Sequence, residues 1–177
     1  IQLKRNNSGK PVLLDLSLLK INSFRNGNIA AAIISLGEFG LIFALPLWLQ
    51  NVRGYSAFDS GLVLLALAIG SFMASGAGAG LTTKLGAVKI VQTGIALELL
   101  GVFGIGLFIS PTVSIWVVAG ALFVYGLGVG LATAQLTGVI LVDVPIERSG
   151  QASGMQSPSR QLGSALGIAI LGTVLFS

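Results

Sequence analysis

The charges are spaced so widely that long stretches of the chain have none. Between Asp59 and Lys84 lie 24 residues without a charge. Between Lys89 and Asp143 the only charge is Glu98. A helix needs about 20 apolar residues to cross the hydrocarbon of a bilayer, so the first gap holds one span and the second holds two. Composition agrees. The 177 residues are 54% hydrophobic and 9% charged, against roughly 25% charged in a soluble domain. The expected solvent is therefore lipid.

Hydropathy and breaker residues give five spans, near residues 27–50, 61–83, 88–109, 113–142 and 152–176. Short loops separate them: "NVRGYSAFDS", "KLGA", "SPT" and "DVPIERSG", with Pro111 as the breaker in the third. Helices are expected, because lipid offers no partner for unpaired backbone groups. A β-barrel would instead alternate apolar and polar residues over about ten positions, and these runs are too long and too uniform for that. The fold class is thus an all-α membrane protein. It divides into residues 1–25, a cytoplasmic linker, and a transmembrane bundle over 26–177. Within the linker, "IQLKRNNSGK" reads as polar spacer. "PVLLDLSLLKINSF" either lies along the cytoplasmic interface or simply connects.

Orientation follows from the basic residues. Lys4, Arg5, Lys10, Lys20 and Arg25 precede span one, Lys84 and Lys89 flank the second loop, and Arg148 and Arg160 lie around the fourth loop. Arg53 alone falls on the other side. Nine of the ten Lys and Arg therefore share one side, which the positive-inside rule makes cytoplasmic. This bias accounts for the net charge of +4 without a nucleic-acid partner. The chain begins at Ile1 without a Met and stops near an apolar run. With an odd span count, this leads to the expectation of a piece of a larger protein.

No catalytic signature appears. His and Cys are absent, which excludes thiol chemistry, His-based acid/base work and Cys/His metal sites; no cofactor or metal is expected. "GAGAG" and "GLGVG" superficially resemble nucleotide loops, but neither is G-x-G-x-x-G. Gly76/Gly80, Gly126/Gly130, Gly150/Gly154 and Gly163/Gly167 have the small-xxx-small spacing that lets helix backbones approach closely, and helix packing is the role expected of them.

Two acids lie near mid-span. Glu38 shares a helical face with Ala31, Ser35 and Ile42, and Glu98 with Gly94 and Gly101. An acidic residue at a helix centre costs about 2.5–3.5 kcal/mol on insertion scales, a cost that protonation or a partner offsets. Each is either a proton or cation site in a polar cavity or a neutral acid tying helices together. Interhelical hydrogen bonds are expected of Thr133, Gln135 and Thr137. Arg160, two residues after Pro158, has three open roles: snorkelling, pairing with an acid, or lining the cavity.

Several stretches resemble one family. "LPLWLQNVRGYSAFDSGLVLL" (residues 45–65) is similar to the end of the seventh and start of the eighth core helix of the major facilitator superfamily. More narrowly, it resembles the fourteen-span drug/proton antiporters, whose pattern runs L-P-L-Y-L-Q, then G-Y-S, then A-G-L. The stretch over residues 126–175 carries a glycine-rich helix, Val144-Pro145, Ser149-Gly150-Gln151-Ala152-Ser153-Gly154 and Arg160-Gln161-Leu162-Gly163. It resembles the family's tenth and eleventh core helices. The chain departs from the pattern at "GLTTKLGAVKI", where Thr83-Lys84 replaces an Asp-Arg pair, and in "LATAQ", which lacks the usual Pro.

The resemblance implies five of the six helices of a C-terminal bundle. Spans one to three would form one inverted repeat, and spans four and five would begin the other. It also implies a partner in the missing N-terminal bundle of the same transporter. The function implied is proton-coupled efflux of lipophilic, often cationic compounds. The partners are then membrane lipid, protons and a small-molecule substrate, in a bacterial plasma membrane. Glu38 and Glu98 are the candidate coupling acids. Ser35, Phe39, Phe43, Gln135 and Arg160 are the candidate cavity residues. A metabolite exporter or solute symporter of the same fold, and a non-transporting membrane module, are the alternatives.

Overall fold

The computed structural model describes residues 16–176. Residues 1–15, with most of the expected linker and Lys4, Arg5 and Lys10, lie outside the described residues. A short 3₁₀ turn, Leu16–Lys20, leads into five long helices: α1 Asn22–Asn51, α2 Ala57–Leu85, α3 Ala87–Phe108, α4 Ile115–Leu141 and α5 Ser149–Phe176. Among the described residues there is no strand. The protein is all-α.

Several helices start earlier than hydropathy suggests, because polar residues at their ends are helical too. α1 begins at Asn22 rather than near Gly27, with the Arg25 guanidinium donating to the Asn22 side chain at 3.2 Å. α2 begins at Ala57 because Ser56 caps it. The Ser56 hydroxyl accepts from the Asp59 N–H at 3.1 Å and donates to the Asp59 carboxylate at 2.7 Å. Ser56 is thus a side-chain N-cap, with the Asp59 carboxylate holding its hydroxyl in place. Two turns need positive φ and use glycine: Gly54 (φ 69°) after α1 and Gly86 (φ 83°) between α2 and α3.

α4 is the central element, packed along its length against both α2 and α3, while α1 packs along α5. A smaller contact between α1 and α4 joins the two groups. At one end Leu18, Phe24, Ala31 and Ile34 meet Ala132, Leu136, Ile140 and Ala152. At the other, Leu45 and Leu49 meet Val63, Ile105, Val118 and Leu122. The Leu16–Lys20 turn is therefore seated on the bundle through Leu18, which is fully buried, and Arg148 donates to the Ser17 hydroxyl at 3.1 Å.

Glycine sets the closest approaches. A Cβ on Gly163 or Gly167 of α5 would land on the Ala32 or Leu36 carbonyl of α1. A Cβ on Gly126 or Gly130 of α4 would land on the Leu67 or Ser71 carbonyl of α2. At the α3–α4 seam, Gly94 meets the Gly128 carbonyl and Gly101 the Tyr125 backbone. Among the described residues the packing expected of Gly76 and Gly80 is not made, since neither would meet any atom within 4 Å; the same holds for Gly150 and Gly154. The reason is helical phase. Gly70, Ala74 and Gly78 form the buried stripe of α2, and two residues further round, about 200° at 3.6 residues per turn, Gly76 and Gly80 point away.

The outer surface is apolar. Phe72 and Trp116 are each 81% exposed, and Leu107, Phe103 and Leu100 are also exposed. Water does not favour so much exposed apolar surface. Four helices, α1 to α4, are long and apolar enough to cross a membrane. α5 is as long but carries a polar stripe, which defines the site below.

Candidate functional site

α5 carries Ser153, Gln156, Ser157, Arg160, Gln161 and Ser164, recurring at three- and four-residue steps. At 3.6 residues per turn these fall on one face. That face meets α1 where Ser35, Glu38 and Phe39 occupy successive turns of the facing side, and together the two helices enclose an open cavity of about 470 Å³. Pro158 lies within this part of α5. Its missing N–H leaves the Gly154 carbonyl without its usual helical donor.

The chemistry of the lining is uneven. Ser35 and Gln156 are buried, and the Gln156 amide nitrogen is hydrogen-bonded to nothing among the described residues. Glu38 is half-buried, and the Arg160 charge acts on it across the cavity. Phe39, 43% exposed, supplies an apolar wall. The cavity thus offers one acid, one permanent cation, several hydroxyls and amides, and an aromatic face. That set binds polar and ionic groups while leaving an apolar surface for the rest of a molecule.

Of the residues singled out in the sequence, the structure brings Ser35, Glu38, Phe39 and Arg160 together. Phe43 sits elsewhere on α1, its ring 3.4 Å from where a Gly172 side chain would be. Gln135 lies on the α2 side of α4, its amide nitrogen 3.8 Å from the same point on Gly78. Glu98 is buried between α3 and α4, its Cγ against Gly128. The Thr133 hydroxyl is buried and unbonded among the described residues, so it does not make the interhelical bond expected of it. The α5 stripe escaped sequence reasoning as a site, although its spacing in "SGMQSPSRQLGSA" is legible as a polar face. Tyr125 also escaped; its only signal is a single phenol within an apolar, glycine-rich helix.

Comparison with known proteins agrees with this architecture. At 31% identity, 92% of the chain aligns with 30% of Multidrug resistance protein Stp of Mycobacterium tuberculosis. It is likewise 31% identical to the Probable actinorhodin transporter of Streptomyces coelicolor, over 99% of the chain and 31% of that protein. It is 29% identical to Multidrug efflux pump LfrA of Mycolicibacterium smegmatis, over 97% of the chain and 34% of the pump. The chain spans about a third of the length of the curated relatives it matches. The family model described as Major Facilitator Superfamily matches residues 2–168. A multi-pass helical protein with an apolar outer surface and a polar cleft between α1 and α5, this chain belongs to the Major Facilitator Superfamily.

Proposed function

We propose that this chain is part of a proton-coupled efflux transporter for lipophilic, often cationic compounds, with Glu38 as the coupling acid. The observation that carries the reading is the cavity itself: one intramembrane acid, half-buried, facing a cleft between two helices. Intramembrane acids that face a polar cavity mark ion and proton pathways. Glu38 can hold a proton or offset a substrate's positive charge, but not both, and that exclusion is the coupling. Relatives named as a multidrug resistance protein and an efflux pump support the substrate class. The full transporter would place this bundle in a bacterial plasma membrane, with the Leu16–Lys20 end cytoplasmic, and complete the cavity with its other bundle.

The test is Glu38→Gln in the full-length protein, with efflux from vesicles followed with and without a proton gradient. Proton-driven export of a cationic dye should fall by at least tenfold, a modest figure for losing a positioned proton carrier. Export of neutral compounds should fall less. The amount of folded protein should hold, because an amide is no harder to bury than a protonated acid. Gradient-dependent dye export at the parental rate would exclude Glu38 as the coupling acid. Arg160 in the same cavity favours a second reading, export of a metabolite with an anionic group. Arg160→Gln abolishing export of anionic compounds only would select it.

A further inference from the structure

Tyr125 on α4 is 1% exposed, and its hydroxyl is hydrogen-bonded to nothing among the described residues. The same holds for Oε1 of Glu98 on α3, in a side chain that is 7% exposed. Buried polar atoms are nearly always paired, so two neighbouring exceptions need a reason. The two are neighbours because Gly101, one turn beyond Glu98, packs directly on the Tyr125 backbone, while Glu98 itself packs on Gly128, one turn beyond Tyr125. From that seam the tyrosine reaches across to α1, where its hydroxyl lies 3.7 Å from the point a side chain at Gly37 would occupy. Glu38 is the next residue.

The geometry points to Tyr125 as a proton shuttle between Glu98 and Glu38, making the coupling site a two-acid unit that spans α1, α3 and α4. This rests on the reading of Glu38 given above. A phenol suits the task because it donates one hydrogen bond and accepts another. The transfer requires the phenol, unpaired among the described residues, to move into hydrogen-bond reach of both acids; the Glu98 carboxyl O–H then breaks as its proton bonds to the phenol oxygen. The phenol O–H breaks in turn, and its proton bonds to the Glu38 carboxylate. Glu98 is left ionised, Glu38 protonated and the phenol restored. The other charged groups facing this unit are few. Arg160 of α5 faces Glu38, and α2 carries charges only near its ends, at Asp59 and Lys84.

The experiment uses the full-length transporter in vesicles, with ethidium as the probe, and measures two rates. One is efflux driven by a proton gradient. The other is ethidium exchange with no gradient, which needs the binding site but no net proton movement. Tyr125→Phe keeps the ring that fills the space beside Gly101. It should exchange at the parental rate and lose driven efflux by on the order of 100-fold, the scale of a positioned proton carrier. Glu98→Gln should show the same split, and the double variant should be no worse than either; it also decides the matter if Tyr125→Phe fails to fold. Driven efflux within about twofold of the parent in both variants would overturn the shuttle, as would exchange and driven efflux falling together. Glu38→Gln is run beside them. If it loses driven efflux while Tyr125→Phe keeps it, Glu38 stands and the shuttle falls; if it keeps driven efflux, both fall.

Discussion

Arg53 is the one basic residue set apart by the charge bias, and its surroundings explain why it stands there. Its guanidinium donates to the Val113 carbonyl at 2.6 Å and to the Ser110 carbonyl at 3.5 Å. It also lies over the Trp48 and Tyr55 rings at 5.9 and 5.7 Å. It therefore ties the loop after α1 to the loop between α3 and α4. Charge-assisted bonds of this kind contribute about 1.5–3 kcal/mol, less where water competes. Arg53→Gln should lower stability by about 1–2 kcal/mol on that scale, read as a lower unfolding temperature in detergent. An unchanged unfolding temperature would mean the clamp contributes nothing. The position was legible in the sequence as an anomaly of charge, but its partners are 57 and 60 residues away, beyond what any local pattern reports.

At the scale of elements, glycine does the joining, and it does so by phase. The α1–α5 and α2–α4 seams use one device, glycines laid against partner carbonyls. Replacing Gly163 and Gly167 with Leu should force α5 off α1 and sharply lower the yield of folded protein, since each new side chain meets backbone that cannot yield. Gly76 and Gly80 have the same spacing but face away. Their replacement with Leu should leave the yield of this segment's fold nearly intact in detergent. Equal losses from both pairs would refute the distinction. Spacing alone could not separate the two pairs. It reports that two small residues share a face, and says nothing about which face finds a neighbour.

For the whole molecule, the helix order and end contacts set an alternating path. The Leu16–Lys20 turn and Arg148 meet at one end, and Arg53 meets Val113 at the other. These 177 residues hold no Cys, so a cysteine introduced here is the single labelling site of this chain. A Cys at Ser56 should react with an impermeant thiol reagent from outside intact cells, and one at Thr83 only after the inner face is opened. Labelling of Ser56 from the cytoplasmic side alone would reverse the proposed orientation.

What the sequence alone determined is what a one-dimensional property can carry. The scarcity of charge requires lipid, and lipid requires helices, because unpaired backbone has nowhere else to bond. The number and order of the five helices, and the suspicion attached to Glu38, follow from the same reasoning. What only the tertiary structure decided is who meets whom: that α5, the most polar helix, closes on α1 and turns Ser35, Glu38, Phe39 and Arg160 into one cavity, while Phe43 and Gln135 face other neighbours. Apolar helices carry little amphipathic signal, because lipid and protein interior are equally apolar. Which side faces a partner is therefore set by steric fit between backbones, and that fit exists only once both helices are in place.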